Sequence, residues 1–350
     1  MKNKSQNYST KKRNNTWLLQ THKIPLSVNN KNGDKMKIRL GYACIAKTLN
    51  LTSSHTITYT NYQKLINDYD EETANNKLIE ICNINLDNLE KILIYNIKNN
   101  IHFYRMTSAL FPLATHPNVK YNPIEIFKKR LQQLGKIIID NNLRVDIHLD
   151  QFCVLNSTNK EVVMSTINII KFYKNMLKTM NIKTHMITHV GSNSFGKQNS
   201  ITRFINNFKL LDIESQKLII LENDDKIFNI NDTLYICDKI KIPMVLDYHH
   251  HICNNQNEKI EKYIEKIFKT WNNEIPKIHI SSPKNKKEYR NHHEYINSDE
   301  FIAFYEKIKF INKDFDIMIE AKEKDFALFK LTRELKYKNI KFIDETTIIS

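Results

Sequence analysis

Glycine is scarce in this chain. Only five occur in 350 residues, and they supply no G-x-G-x-x-G or Walker-type loop, which argues against nucleotide folds whose backbone must approach a pyrophosphate. Cysteine is equally sparse. Cys44, Cys82, Cys153, Cys237 and Cys253 form no C-x-x-C pair, which argues against a zinc ribbon or thioredoxin-type site and leaves free, mostly buried thiols. No apolar run approaches a transmembrane span and no secretory signal is visible. The expectation is a cytoplasmic protein, nucleoid-associated in a prokaryotic cell, with no membrane partner. Acidic residues are also few: 38 Asp and Glu stand against 53 Lys and Arg, a net charge of +15. That surplus favours a polyanionic partner through counterion release, although a Lys-, Asn- and Ile-rich base composition accounts for part of it.

What is present is organised around Met244-Val245-Leu246-Asp247-Tyr248-His249-His250-His251, an apolar run ending in a carboxylate and three imidazoles. It reads as a buried strand that delivers polar ligands at its carboxyl end. A chance His cluster on a turn has the same composition, so repetition has to decide. Similar runs end at His148, His189, Glu222, His279 and Glu320. A solvated surface explains any one of these but explains poorly why the residue types are so uniform; metal ligation is the economical alternative.

The first 36 residues are polar and basic and read as a flexible arm suited to a nucleic-acid backbone, or as a tail without function. From Lys37 to the end, strand patterns alternate with helical ones. The strands are Ile38–Cys44, His102–Thr107, and those running into His148, His189, Glu222, Asp247, His279 and Glu320. The helices between them carry apolar residues at helical spacing, as in Leu78, Cys82, Leu86, Leu89 and Leu93. Asp299 is a plausible helix start. Eight strands alternating with eight helices predict an α/β chain folded as a (β/α)8 TIM barrel over 37–350, with all carboxyl strand ends at one mouth.

Neutral imidazoles with carboxylates suit zinc, manganese or iron, and a carboxylate can bridge two ions. The candidates exceed what one ion needs. Two or more ions suit in-line displacement at phosphorus. Lys277 lies two residues before His279, so both face the same side of their strand; it reads as a repelled neighbour of the ions, a carboxylated ligand, or an ordinary surface lysine.

The ordered motifs Leu40-Gly41-Tyr42-Ala43-Cys44, Phe111-Pro112-Leu113-Ala114-Thr115-His116-Pro117, His148-Leu149-Asp150-Gln151-Phe152, Thr188-His189-Val190-Gly191, Leu221-Glu222-Asn223-Asp224-Asp225, Leu246-Asp247 with His250, Lys277-Ile278-His279 and Ile319-Glu320-Ala321-Lys322 resemble the UV damage endonuclease family over about residues 37 to 325. The resemblance implies a TIM barrel related to endonuclease IV that nicks double-stranded DNA on the 5′ side of cyclobutane pyrimidine dimers and 6-4 photoproducts, with two or three divalent ions, manganese before zinc. It implies a bridging Glu222, one ion shared with His148 and His189, a second with Asp247, His279 and Glu320, and a third held by His250 and His293 beside a Lys277 that can be carboxylated. It implies that His249, His251 and His292 are neighbours rather than ligands. His116 would lie near the scissile phosphate, so the catalytic candidates are Glu222, Lys277 and His116. Gln151 and Phe152 would enter the duplex at the lesion, and Tyr42 would line the damaged-base pocket. Leu149 and Asp150, where relatives often have Pro and Gly, Phe152 for Tyr and Ala46 for Asn bear on lesion preference and remove no ligand.

The alternatives are an abasic-site endonuclease of the endonuclease IV type, a metal-dependent sugar isomerase and a noncatalytic DNA-binding module. An isomerase shares the barrel and ligands but has no need of the charge; a binding module has no need of the ligands. The expected enzyme acts as a monomer.

Overall fold

A computed structural model describes residues 35–51 and 54–350; the basic arm expected over 1–36 lies outside these residues but for Lys35 and Met36. Eight parallel strands close on themselves: β1 (Lys37–Ala43), β2 (Phe103–Met106), β3 (Arg144–His148), β4 (Met186–His189), β5 (Ile219–Glu222), β6 (Met244–Asp247), β7 (Lys277–Ile280) and β8 (Phe315–Ile319). They follow one another in order, with β8 pairing β1 and β1 pairing β2. The (β/α)8 barrel is therefore present. A ninth strand, β9 (Thr347–Ile349), pairs antiparallel with Lys37–Arg39. It covers the edge that β2 leaves free by pairing only Gly41–Ala43. At Gly41 a Cβ would lie 2.1 Å from the Phe103 carbonyl oxygen, so only glycine permits that closure.

The surrounding helices include Glu71–Lys98, Lys128–Asp140, Lys160–Met180, Lys197–Phe208, Ile230–Ile240, Ile264–Thr270, Ser298–Ile308 and Lys324–Tyr337. Most of the apolar core lies between their inner faces and the outward side chains of the strands. Asp299 does not cap its helix: Asn297 does, accepting from the Asp299 and Glu300 N–H groups, and Asp299 sits in the first turn. Asparagine supplies much of what glycine does elsewhere. Of fourteen described non-glycine residues with positive φ, eight are Asn, among them Asn142, Asn181, Asn272 and Asn312, because its short polar side chain tolerates the left-handed region.

Two-residue periodicity stacks the barrel interior. On β4, β5 and β6 an apolar residue lies beneath the last one: Ile187 under His189, Ile220 under Glu222, Val245 under Asp247. On β3 and β7 the lower residue is charged instead, Asp146 under His148 and Lys277 under His279. Deeper still, Arg39 pairs Asp316 through two hydrogen bonds of 2.6 and 2.7 Å, with Arg144 on the same carboxylate.

Candidate active site

Glu222 occupies the middle of the mouth. One carboxylate oxygen lies 3.2 Å from His148 Nε2, 3.1 Å from His279 Nδ1 and 4.0 Å from His189 Nε2; the other lies 3.5 Å from His250 Nδ1. Parallel register causes this, since His189 aligns with Glu222 and Asp247 with His279. Three sets have ligand atoms within 4.8 Å of one another: His148, His189 and Glu222; Glu222, Asp247 and His250; Asp247, His279 and Glu320. Glu222 and Asp247 each belong to two sets.

Backbone geometry explains why one of three consecutive histidines joins them. The chain turns at once into the short helix Tyr248–Cys253, whose first turn is capped by the Asp247 side chain accepting from His250 N–H at 2.7 Å. Helical rotation sends His249 and His251 into buried positions and leaves His250 facing Glu222. Asn223 secures the junction: its amide and the Asp247 backbone exchange two hydrogen bonds of 2.9 Å.

The electrostatics are those of charges packed closer than water would allow. Burial opposes charge on Glu222, yet His279 and His189 with hydrogen bonds from His148 and His279 hold its carboxyl well below the usual range. Burial, with Glu222 and Glu320 nearby, raises Asp247 to about 6, offset in part by His250. Burial also opposes charge on His250, but Asp247, Glu222 and Glu320 lift it to about 9. His189 is lowered by burial and by His148 and His250. The buried Asp247 Oδ2 and His189 Nδ1 have no hydrogen-bond partner. Crowded carboxylates with an unanswered oxygen beside imidazoles fit divalent cations.

A pH dependence follows. The cost of Asp247 appears as pH rises from the ordinary carboxylate range through about 6. The stabilisation from protonated His250 is full below its ordinary value and lost as pH rises through about 9. Both act in one direction, and the window of His250 is the one near neutrality, so the melting temperature of chelator-treated protein should fall between pH 6.5 and about 9, and an added divalent cation should flatten the fall. A melting series with and without chelator measures it; a flat chelated profile contradicts the assignment.

Several expected residues lie elsewhere. Lys277 faces inward with His279 but one layer below the mouth, fully buried, its Nζ 3.1 Å from Asp146. Burial pushes its amine down to about 8 against the pull of Asp146. His293 is displaced by its neighbour: its Nδ1 accepts from Tyr295 N–H at 3.0 Å and its ring lies beside Glu294, whereas His292 Nδ1 stands 3.9 Å from Glu320. The loop that returns through the Pro283–His292 bridge sets this phase. Tyr42 points outward from β1, buried, with its hydroxyl donating to Asn96 at 2.8 Å; strand alternation places it under the helices rather than in a pocket. His116 stacks on Tyr59 with ring centres 3.9 Å apart and joins none of the three sets. Gln151 and Phe152 lie exposed on the loop after β3, where Phe152 N–H donates to Asp150 at 2.9 Å and Phe152 is 73% exposed.

Arg105 went unread in the sequence. From β2 it donates to Glu320 at 2.5 Å and to His279 Nε2 at 2.7 Å, with Asp146 at 3.5 Å. Its inward strand position was the available signal; its partners come from β7, β8 and β3.

Comparison with known proteins decides the family. A model described as UV-endonuclease UvdE matches residues 38–349. The chain belongs to the UV-endonuclease UvdE family. It is 39% identical over 319 residues to the UV DNA damage endonuclease of Bacillus mycoides (strain KBAB4), covering 89% of this chain and 99% of that one. Identity to the corresponding Bacillus anthracis (strain A0248) protein is 38% over the same span. The crystal structure of SacUVDE superposes with a TM-score of 0.77 at 31% identity, over 86% of this chain and 99% of that chain. Endonuclease IV from Thermus thermophilus shares the fold, with a TM-score of 0.53 at 11% identity, over 85% of this chain and 99% of that chain. The chain is thus an endonuclease that acts on DNA, and no described helix is long and apolar enough to cross a membrane.

Proposed function

We propose that this enzyme is a metal-dependent repair endonuclease that hydrolyses the phosphodiester on the 5′ side of UV photoproducts, both cyclobutane pyrimidine dimers and 6-4 photoproducts. The carrying observation is the linkage of three ligand sets through Glu222 and Asp247. Divalent ions held there, manganese in this reading and zinc as runner-up, supply positive charge to a phosphate and a readily ionised water. Hydrolysis would form a bond from a water oxygen to phosphorus as the bond to the departing sugar oxygen breaks, with the water's proton ending on that oxygen.

The chain's own groups prepare this. Glu222 holds His148, His279 and His250 around one point. Arg105 is a positioning residue that restrains Glu320 and His279 from the barrel wall. Gln151 and Phe152 enter the duplex beside the lesion. The +15 charge draws in the DNA backbone. In this reading residues 37–350 form the endonuclease domain, a monomer acting in the cytoplasm, and the basic 1–36 segment adds backbone contacts.

The test is a labelled duplex carrying one photoproduct, incubated with enzyme, with chelator, and with chelator followed by manganese. Cleavage immediately 5′ of the lesion, lost with chelator and regained with manganese, is expected. Cleavage confined to abasic sites would favour the endonuclease IV-type alternative instead.

A further inference from the structure

Between Gly191 and Gly196 the loop after β4, the strand that carries His189, presents Phe195, a residue 80% exposed. Its backbone is unusual for an aromatic residue. Phe195 has φ +61° inside a turn closed by Gly196 N–H donating to the Asn193 carbonyl at 3.1 Å. That third position of the turn suits Gly or Asn. Here glycine stands one residue later, at Gly196, where an added Cβ would meet open space. A large apolar ring is thus both held in water and mounted on a backbone that disfavours it, a combination that marks functional positions.

The turn is not loose. Arg203 donates to the Ser194 carbonyl at 2.5 Å and to the Asn156 carbonyl at 2.9 Å. The Asn156 side chain, fully buried, exchanges hydrogen bonds with the Ser192 backbone at 2.7 and 2.9 Å. Gly191, at φ +107°, is the close approach that lets it in, since a Cβ there would lie 2.6 Å from Asn156 Oδ1. Asn156 belongs to the loop after β3 that carries Phe152. The two exposed phenylalanines therefore ride on one clamped platform, downstream of His148 and His189, whose rings are 5.1 Å apart.

We propose that Phe195 is a second DNA-contacting aromatic that stacks on a base or sugar of the distorted duplex while Phe152 enters it, so that the platform grips the lesion at two points. The inference rests on the nuclease reading above. A strongly cationic protein draws in the polyanion, and a base presents the flat π-face that an exposed ring accepts regardless of sequence.

Phe195→Gly tests this because it relieves the backbone while deleting the ring; Phe195→Asn keeps a side chain that tolerates the same φ. Both should melt at or above the wild-type temperature. Both should bind photoproduct-containing duplex about tenfold more weakly, as loss of one stacked base predicts. A 2-aminopurine beside the lesion should brighten on wild-type binding and brighten less with either variant. Wild-type affinity and fluorescence in both variants would overturn the proposal and leave the nuclease reading standing. A lowered melting temperature with unchanged DNA binding would overturn it too, by making Phe195 a packing residue. Failure of the wild type to nick irradiated DNA would instead remove the reading on which it rests.

Discussion

Glu222→Ala is expected to abolish nicking of irradiated plasmid while the barrel remains folded. Glu222 is the residue that joins the most ligand atoms, within 4.0 Å of four imidazoles. Losing a supporting partner of a metal ligand typically costs about 10–100-fold, and loss of a shared ligand should exceed that, so a fall of at least about 10³-fold is expected. Metal analysis should show more than one ion per wild-type chain and at least one fewer in the variant. Stability should change little because two effects oppose. The depressed Glu222 contributes stability that is present at neutral pH and lost as pH falls through its folded pKa, and the variant forfeits it. Its removal also relieves the repulsion that raises Asp247. Circular dichroism and a melting curve check the fold. A folded variant with wild-type turnover would falsify the central role of Glu222.

Phe152→Ala is expected to weaken binding to photoproduct-containing duplex by about 5- to 150-fold, the equivalent of roughly 1–3 kcal/mol of stacking on one base. Undamaged duplex should be affected far less, because opening it costs more and the ring has no gap to fill. The alternative, that Phe152 packs within its loop, predicts equal losses on both duplexes and a lower melting temperature. A residue 73% exposed has little packing to lose, so the melting temperature should stay unchanged. Titration of both duplexes beside a melting curve separates the two; equal losses would remove Phe152 from the lesion.

Some of the site was legible because strand chemistry is periodic. An apolar run that stops at a carboxylate or imidazole announces a strand end, and six such ends within an eight-fold alternation place their side chains at one mouth whatever the loops do. Hence His148, His189, Glu222, Asp247, His279 and Glu320 could be read without coordinates, and the three ligand sets draw on them. Depth along a strand is harder. Lys277 shares the inward face of His279, but one period of two residues is the difference between the exposed mouth and the sealed interior, and only the stagger of the neighbouring strands sets where the interior ends.

By itself, then, the amino-acid order determined the barrel, the residue types at its carboxyl end and the excess of positive charge, since each rests on local periodicity or composition. Tertiary structure alone decided which of adjacent residues face the centre. His250 rather than His249 or His251 meets Glu222 because the helix begins at Tyr248 under the Asp247 cap. His292 rather than His293 nears Glu320 because a β-bridge to Pro283 sets the phase of its loop. Tyr42 turns away because the pairing of β1 sends alternate side chains outward. Arg105 acquires its role only when barrel closure brings β2 across from β7 and β8. In each case the deciding quantity is a phase or a distance between segments far apart in sequence, which packing sets and local pattern does not encode.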